Sequence, residues 1–221
     1  MQLVSKTESA AERVYGEVKE LILTSEIPGG ELISEGEIAD RCEVSRTPVR
    51  EAFLRLETEG WMRLFPKRGA LVVPIGEREA ADVVDARILL ETHAVRSLVD
   101  DAPGRTQLLD ALRANLAAQR ATSPDEADFA RLDAEFHQFI VGAGGNDLLA
   151  GFFTTLGERH RRMTTVSVHR DAAISGRIVD DHAELINAIE RGDAELFATS
   201  LISHLSAVHN VRPTRPAGGA R

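Results

Sequence analysis

The sequence contains very little cysteine. Cys42 is the only cysteine among 221 residues, so an internal disulfide framework is excluded. A lone cysteine suits a reducing compartment, and its place in the helical run EIADRCEV favours a small buried thiol over a reactive one. We therefore expect a cytoplasmic protein.

Long apolar runs are also missing. No stretch approaches the roughly 20 apolar residues that span a bilayer, and the N-terminal residues lack the basic-then-apolar layout of a secretory signal. Hydrophobic residues make up 43% of the chain and charged residues 28%, so a packed core is expected and general disorder is not. No membrane partner is expected.

Positive charge is scarce overall but concentrated in one segment. The net charge is −9, which taken alone argues against a nucleic-acid partner. Residues 46–68, however, hold six basic and three acidic residues, a local charge of +3, whereas the chain from residue 76 onward holds 16 basic and 22 acidic residues, a local charge of −6. Because charge acts through its location, the two parts are expected to differ in electrostatic role.

The first part of the chain shows three helical patterns followed by two apolar runs. Residues 9–24 have apolar positions at helical spacing before the turn IPGG, and Ser34 with Glu37 fits the capping box of a second helix. A third helix begins at the N-cap Ser45, and WMRLF and ALVVP flank the turn PKRG as in a β-hairpin. This order predicts a winged helix-turn-helix domain over residues 8–75.

The third helix carries two arginines that point to DNA. Its apolar stripe should face the core, which leaves Arg46 and Arg50 one turn apart on another flank at the helix start. A recognition helix meets base edges at this position, and the arginine fork can bond guanine O6 and N7 together. The stripe comprises Val49, Ala52, Phe53 and Leu56.

Neighbouring residues complete a predicted DNA surface. Small hydroxyl side chains at the helix start can contact phosphate, and a basic wing tip can reach the backbone or the minor groove. The alternative interpretation is a set of solvated charges on a surface helix. The predicted DNA-binding residues are Ser45, Arg46, Thr47, Arg50, Lys67, Arg68 and Gly69.

The segment from Gly30 to Pro74 resembles the DNA-binding domain of the GntR superfamily of bacterial transcription regulators, and the resemblance spans about residues 10–74. The most specific parts are VSRTPVREAFLRLETEG and RGALVV. The resemblance implies that Arg46, Arg50 and the wing over residues 67–69 contact an operator. Some relatives carry a polar or basic residue where this chain has Gly36, which removes one expected phosphate contact.

The second part of the chain is helical throughout in its pattern. Residues 76–211 show no convincing strand and predict an all-α antiparallel bundle of six or seven helices. One of the expected helix breaks falls at Ser175–Gly176. The fold class is therefore mainly α, and the Pro/Gly-rich residues 212–221 are expected to form a disordered tail.

Four ionisable residues interrupt apolar stripes in this part. Asp133 and His137 form an i, i+4 pair on one helix, and His182 and His204 each lie centrally on the stripe of another. Buried without partners these groups would be costly, and one divalent cation would satisfy all of them. For any single histidine, a hydrogen bond to a carbonyl in the core is the competing interpretation.

The remaining histidines lack such placement and are interpreted as ordinary polar residues. For two of them, His160 and His169, contact with a ligand is the alternative interpretation. The nitrogen and oxygen donors of the predicted site admit zinc, nickel, manganese or cobalt; zinc is favoured at one ion per chain. The histidines set aside are His93, His160, His169 and His209.

The same segments are similar to the FCD-type effector domain of the FadR subfamily within this superfamily. The matching runs are DARILLETHAV, LDAEFHQFIVGAGGN, DDHAELINAIERGD and the late SHL. The resemblance implies metal ligands at Asp133, His137, His182 and His204, a homodimer, and a small carboxylate effector near the metal. It also implies that Arg87 faces the effector, although a salt bridge to Glu91 is an equal alternative.

Three functions remain open from the sequence. The first is a ligand-responsive transcription regulator that binds a palindromic operator as a dimer. The second is a metal-dependent enzyme using the Asp/His3 site with an open coordination position, although no general base stands beside the ligands. The third is a protein-interaction module that uses the winged helix for docking.

Overall fold

The computed structural model describes residues 8–123 and 127–212. Within these ranges the chain forms nine helices and three short strands, and it divides into two compact units between Ile75 and Gly76. The expected mainly α fold class, with a small β wing in the first unit and helices alone in the second, is confirmed. The expected tail over residues 212–221 lies outside the described residues apart from Arg212. None of the helices in the described ranges is long and apolar enough to cross a membrane.

The first unit contains three helices and a small sheet. Ser34 and Glu37 form the predicted capping box: the backbone N–H of Glu37 donates to the Ser34 hydroxyl over 3.1 Å, and the N–H of Ser34 donates to the Glu37 carboxylate over 2.8 Å. Both contacts satisfy N–H groups that a helix start leaves open. The elements are α1 (Ala10–Leu23), β1 (Leu32–Ile33), α2 (Glu35–Arg41), α3 (Arg46–Thr58), β2 (Met62–Phe65) and β3 (Gly69–Val72).

The core of the first unit lies between α1 and α3. The predicted stripe of α3 is fully buried and packs in one cluster with the apolar face of α1 and with Trp61. Cys42 belongs to the same cluster, as the sequence predicts for a small buried thiol. Because α3 turns its apolar side inward, its charged flank faces solvent.

A third strand joins the predicted hairpin. β2 and β3 pair antiparallel, and β1 adds to the free edge of β3 with Leu32 opposite Leu71 and Ile33 opposite Ala70. Two residues are too few to show a period-2 pattern, so sequence reasoning missed β1. The strand ties the base of the wing to the residues that precede α2.

The second unit consists of six helices in the described residues. Its elements are α4 (Glu77–Ser97), α5 (Ala102–Ala121), α6 (Ala127–Ala143), α7 (Asp147–Arg170), α8 (Ala173–Glu190) and α9 (Ala194–His209). The predicted break at Ser175–Gly176 is wrong, because both residues lie in the first turn of α8. The chain turns earlier, where the carboxylate of Asp171 accepts the backbone N–H of Ala173 over 3.0 Å.

α6 carries two of the predicted metal ligands, Asp133 and His137. It packs against α4, α5 and α7, while α8 packs on α5 and α9. The apolar stripes of α6, α8 and α9 are buried. Phe136, Leu185 and Leu201, one from each helix, are all 0% exposed. The ionisable residues on those stripes are therefore carried into the interior.

Candidate functional site

The start of α3 presents the predicted DNA-binding residues to solvent. Ser45 is the N-cap residue, but its side chain does not cap the helix, and Ser45, Arg46, Thr47 and Arg50 are all exposed. The buried residues of α3 are Val49, Ala52, Phe53 and Leu56, and they lie on the flank next to the one that carries Arg46 and Arg50. This arrangement leaves the hydroxyls and guanidinium groups directed away from the core of the unit.

Arg50 is held by an acidic residue of α2. Its Nε and Nη2 atoms donate to the two carboxylate oxygens of Glu35 over 3.0 and 2.8 Å. This contact lowers the pKa of the Glu35 carboxyl. The pair is bidentate, so it fixes the plane of the guanidinium while its outer edge remains available for another acceptor.

Arg46 lies against Gly36. A Cβ atom added at Gly36 would lie 3.3 Å from Nη2 of Arg46, closer than ordinary van der Waals contact. The missing side chain at position 36 therefore leaves space for the guanidinium group of Arg46.

The wing tip is basic and exposed. Lys67 adopts a left-handed conformation with φ of 63°, and the backbone N–H of Arg68 donates to the carbonyl of Phe65 over 3.0 Å to close the turn. Gly69 has φ of 113°, and a Cβ there would lie 2.2 Å from the carbonyl oxygen of Ile33. The fold thus requires glycine at position 69, apart from any contact with DNA.

The second unit brings the four predicted metal ligands together. Asp133 and His137 on α6, His182 on α8 and His204 on α9 are each at most 1% exposed, and one donor atom from each lies within 4.8 Å of the others. Nε2 of His182 lies 3.2 Å from Nε2 of His137 and 3.3 Å from Oδ1 of Asp133. Donors about 2.0–2.2 Å from one tetrahedral ion lie about 3.3–3.6 Å apart. The two separations from His182 match that spacing, and Nε2 of His137 lies slightly farther from Oδ1 of Asp133, at 3.8 Å, so the four donors can surround one divalent metal.

Each histidine of this cluster is oriented by an acceptor at its other nitrogen. Nδ1 of His137 lies 2.7 Å from Glu91, Nδ1 of His182 lies 3.0 Å from Gln119, and Nδ1 of His204 lies 3.1 Å from Asp181. Amide oxygens and ionised carboxylates only accept, so in that form these partners place the ring hydrogen on Nδ1 and leave the lone pair on Nε2. Such outer partners are usual around metal-binding histidines. We refer to Glu91, Gln119 and Asp181 as the outer acceptors.

Asp133 is held in a similar way. Its Oδ2 accepts the hydroxyl of Thr164 over 2.7 Å and lies 3.0 Å from Nε2 of His160. Burial raises the pKa of Asp133, but the neighbouring His160 and His182 outweigh burial and keep this pKa well below its ordinary value. Asp133 is therefore ionised, with Oδ1 directed to the other ligands.

The histidines of the cluster are electrically neutral near pH 7. Burial lowers the pKa of His204 to about 4 and also lowers the pKa values of His137 and His182. Burial raises the pKa of Glu91 to about 7, against the opposing charge of Arg87. Neutral imidazoles are the form that binds metal, so the folded chain holds its donors ready for a cation.

Sequence reasoning missed the position of His160. We interpreted it as an ordinary polar residue, but it is 1% exposed and contacts Asp133 directly. His209 is also buried, at 9% exposure, whereas His93 and His169 are exposed as expected. His160 follows no apolar stripe, because the surrounding run RHRRMTT mixes arginine and threonine with one methionine. Periodicity therefore gave no signal there.

Arg87 forms a salt bridge with Glu91, which is one of the two interpretations that the sequence left open for this residue. Its Nε donates to Oε1 of Glu91 over 2.9 Å, and both side chains are 0% exposed. Its Nη1 and Nη2 atoms nevertheless find no hydrogen-bond partner among the described residues. A buried guanidinium with two unpaired ends is costly unless an anion meets it.

Comparisons with known proteins agree with this architecture. Residues 10–72 match the family described as bacterial regulatory proteins, gntR family, and residues 82–207 match the FCD domain. The chain is 32% identical over 203 residues to an uncharacterized HTH-type transcriptional regulator in an unstable DNA locus of Streptomyces ambofaciens, covering 88% of this chain and 81% of that protein.

Two further likenesses point the same way. The gluconate operon transcriptional repressor of Bacillus subtilis is 28% identical over 214 residues, covering 91% of this chain and 84% of that protein. The solved structure of E. coli McbR/YncC matches with a TM-score of 0.68 and 20% identity over 90% of this chain and 94% of that one, a likeness of fold alone. The chain belongs to the GntR family of bacterial transcriptional regulators, carries an FCD domain, and is a regulator of transcription and not an enzyme.

Proposed function

We propose that the protein is a metal-dependent, carboxylate-responsive regulator that binds a palindromic operator as a homodimer in the bacterial cytoplasm. One divalent ion, zinc by preference, is held by Asp133, His137, His182 and His204. A small organic acid binds beside it and changes the affinity of the winged helix for DNA. The observation that carries this proposal is the pair of unpaired, fully buried Nη atoms of Arg87 in the unit that holds the ligand cluster.

Two features support a carboxylate as the effector. Arg87 offers two parallel donors, which match the two oxygens of a carboxylate. The ligand set supplies one negative charge against the two of a divalent ion, so the cluster retains positive charge for an anion. The gluconate operon repressor, a relative over most of its length, is named for an operon of a sugar acid, which agrees with an acid effector here.

The DNA side of the proposal rests on the exposed start of α3. Arg46 and Arg50 read base edges, Ser45 and Thr47 contact phosphate, and the wing over residues 67–69 contacts the adjacent backbone. A homodimer would place two copies of α3 in successive major grooves, about 34 Å apart, on a symmetric site. The acidic remainder of the chain limits binding at other DNA sequences through repulsion.

Selection of bound sites from random double-stranded DNA tests this function. We expect enrichment of an inverted repeat whose half-sites contain guanine, and elution of the protein from size-exclusion chromatography at twice the chain mass. Arg46→Ala and Arg50→Ala should relax the selected sequence, while Lys67→Ala should weaken binding without changing the sequence. Selection of no common sequence, or loss of the same bases in all three variants, would contradict the proposal.

A further inference from the structure

Three buried polar groups beside the ligand cluster lack hydrogen-bond partners. Nη1 and Nη2 of Arg87, Nδ1 of His160 and Nε2 of His209 are all enclosed, and none finds a partner among the residues that the structure describes. Buried polar atoms in proteins are nearly always paired. Three unpaired groups in one region indicate a ligand that supplies the missing donors and acceptors.

The three groups lie close to one another. The rings of His160 and His209 have centroids 5.5 Å apart, and those of His160 and His137 have centroids 5.3 Å apart. Arg87 belongs to the same region, because its Nε donates to one oxygen of Glu91 over 2.9 Å and the other oxygen of Glu91 lies 2.7 Å from Nδ1 of His137. Arg87 is therefore linked through Glu91 to His137, whose ring lies beside that of His160, and one small ligand can meet both Arg87 and His160.

The chemistry of His160 is set by its contact with Asp133. Nε2 faces the carboxylate oxygen Oδ2, which only accepts, so the ring hydrogen sits on Nε2. The unpaired Nδ1 then carries the lone pair and requires a donor. Arg87 is the reverse case, since its Nη atoms only donate. The missing ligand must therefore present an anionic acceptor to Arg87 and a hydroxyl or similar donor to His160.

We infer that the effector is a small hydroxy acid whose carboxylate is held by Arg87 and whose hydroxyl donates a hydrogen bond to Nδ1 of His160. This inference rests on the proposed function, because it names the class of acid that the FCD domain recognises. The unpaired Nε2 of His209, whose ring centroid lies 5.5 Å from that of His160, can meet a second polar group of the ligand. A plain carboxylic acid satisfies Arg87 but leaves Nδ1 of His160 buried and unpaired, so it binds more weakly.

Matched pairs of acids test the inference on the full-length, zinc-loaded protein. The pairs are glycolate and acetate, L-lactate and propionate, L-malate and succinate, and gluconate and hexanoate, with affinities measured by isothermal titration calorimetry. We expect the hydroxy acid of at least one pair to bind at least about tenfold more tightly than its partner. Preferences below about twofold in every pair would overturn the inference.

Hydroxy acids could also bind more tightly because their hydroxyl coordinates the metal. Two variants of His160 distinguish this cause from a hydrogen bond to Nδ1 of His160. The amide nitrogen of His160→Gln can still donate to Asp133 but supplies no acceptor at the position of Nδ1. The amide oxygen of His160→Asn falls near that position. With both variants saturated with zinc, we expect the hydroxy-acid preference to disappear in His160→Gln and to survive within about threefold in His160→Asn. A preference that persists in His160→Gln would assign the hydroxyl to the metal and overturn the inference.

The same titrations distinguish this inference from the proposed function. If acids bind and Arg87→Gln abolishes their binding, but hydroxy and plain acids bind alike, the carboxylate-responsive regulator stands and the role of His160 falls. If none of the eight acids binds, or if binding is indifferent to Arg87→Gln, both fall. Should either His160 variant fail to fold, the ratios measured with wild-type protein and the remaining variant still decide the outcome.

Discussion

Nε2 of His137 and Nε2 of His182 lie 3.2 Å apart, on two different helices of the second unit. Each ring already directs its Nδ1 to an outer acceptor, Glu91 for His137 and Gln119 for His182. In the neutral rings both Nε2 atoms then carry lone pairs, which repel each other at this distance. A cation between them, also bound by Asp133, turns the repulsion into two bonds.

Loss of one ligand should empty the metal site. We expect purified wild-type protein to carry about one divalent ion per chain and His182→Ala to carry far less. Metal removal by a chelator should lower the melting temperature of the wild type, because an ion present at 1,000 times its Kd stabilises the fold by about 4 kcal/mol. Inductively coupled plasma mass spectrometry and thermal unfolding measure both effects.

His169→Ala is the matched control for that experiment, since His169 is an exposed histidine of the same unit. It should retain the ion and the response to the chelator. Equal metal content in the wild type and in His182→Ala would show that the four side chains do not form the site.

The outer acceptors should tune metal affinity without touching the ion. Asp181→Ala leaves Nδ1 of His204 without its acceptor at 3.1 Å and frees the ring to turn, so zinc affinity should fall roughly 10–100-fold. Competition with a chromogenic chelator gives the two Kd values. Asp180→Ala removes an exposed carboxylate one position earlier and should leave the Kd unchanged. Equal losses of zinc affinity in both variants would show that the net charge of the protein, and not the orientation of the His204 ring, determines the affinity.

The metal-free protein should lose stability as the pH falls. Burial depresses the pKa values of His160 and His204 to about 4, whereas in the unfolded chain both titrate near 6.5. Their contribution is present above about pH 6.5 and is lost as the pH falls towards 4, on the order of 3 kcal/mol for each. Urea denaturation of chelator-treated protein between pH 4 and pH 7 measures the slope.

Glu91 opposes this trend, which gives the pH experiment its control. The pKa of Glu91 is raised to about 7 in the folded protein, so this residue stabilises the fold at pH values below its pKa in the unfolded chain. That stabilisation is lost as the pH rises through 7. Glu91→Gln keeps the side-chain shape and removes the opposing titration, so the slope should become steeper. A flat pH profile in the metal-free wild type would mean that the histidines titrate as in the unfolded chain.

Adding a methyl group at Gly36 should separate stability from DNA binding. Gly36→Ala improves helix propensity in α2 by about 0.5–1 kcal/mol, but its Cβ would lie 3.3 Å from Nη2 of Arg46 and displace that group. Operator affinity should therefore fall while the melting temperature holds or rises. Gly16→Ala in α1 meets no atom within 4 Å and should raise stability alone. Unchanged operator affinity in Gly36→Ala would remove Arg46 from the recognition surface.

Much of the fold could be predicted because burial leaves a periodic trace. The stripe of α3 and the stripes of α6, α8 and α9 predict the helices, and the interrupting residues Asp133, His137, His182 and His204 predict a cluster that the structure brings together. A polar residue on an apolar stripe is informative, since burial without a partner would be costly.

The rest depends on contacts between helices, which the sequence of any one helix does not record. Gln119 and Asp181 look like ordinary polar residues until α5, α8 and α9 pack and bring them to Nδ1 of His182 and His204. Glu91 was expected only as a partner of Arg87, yet its second oxygen orients His137. The strand β1 could not be predicted, because two residues are too few to show an alternation of apolar and polar side chains.

Control of DNA affinity by an acid bound at Arg87 can be measured by fluorescence anisotropy with the selected operator. In zinc-loaded wild-type protein and in Arg96→Gln, which breaks an exposed ion pair on the same helix, a bound acid should shift the operator Kd by roughly 5–150-fold. In Arg87→Gln the operator Kd without acid should be unchanged and the shift should vanish. A full shift in Arg87→Gln, or none in the wild type at acid concentrations that saturate binding, would contradict the account.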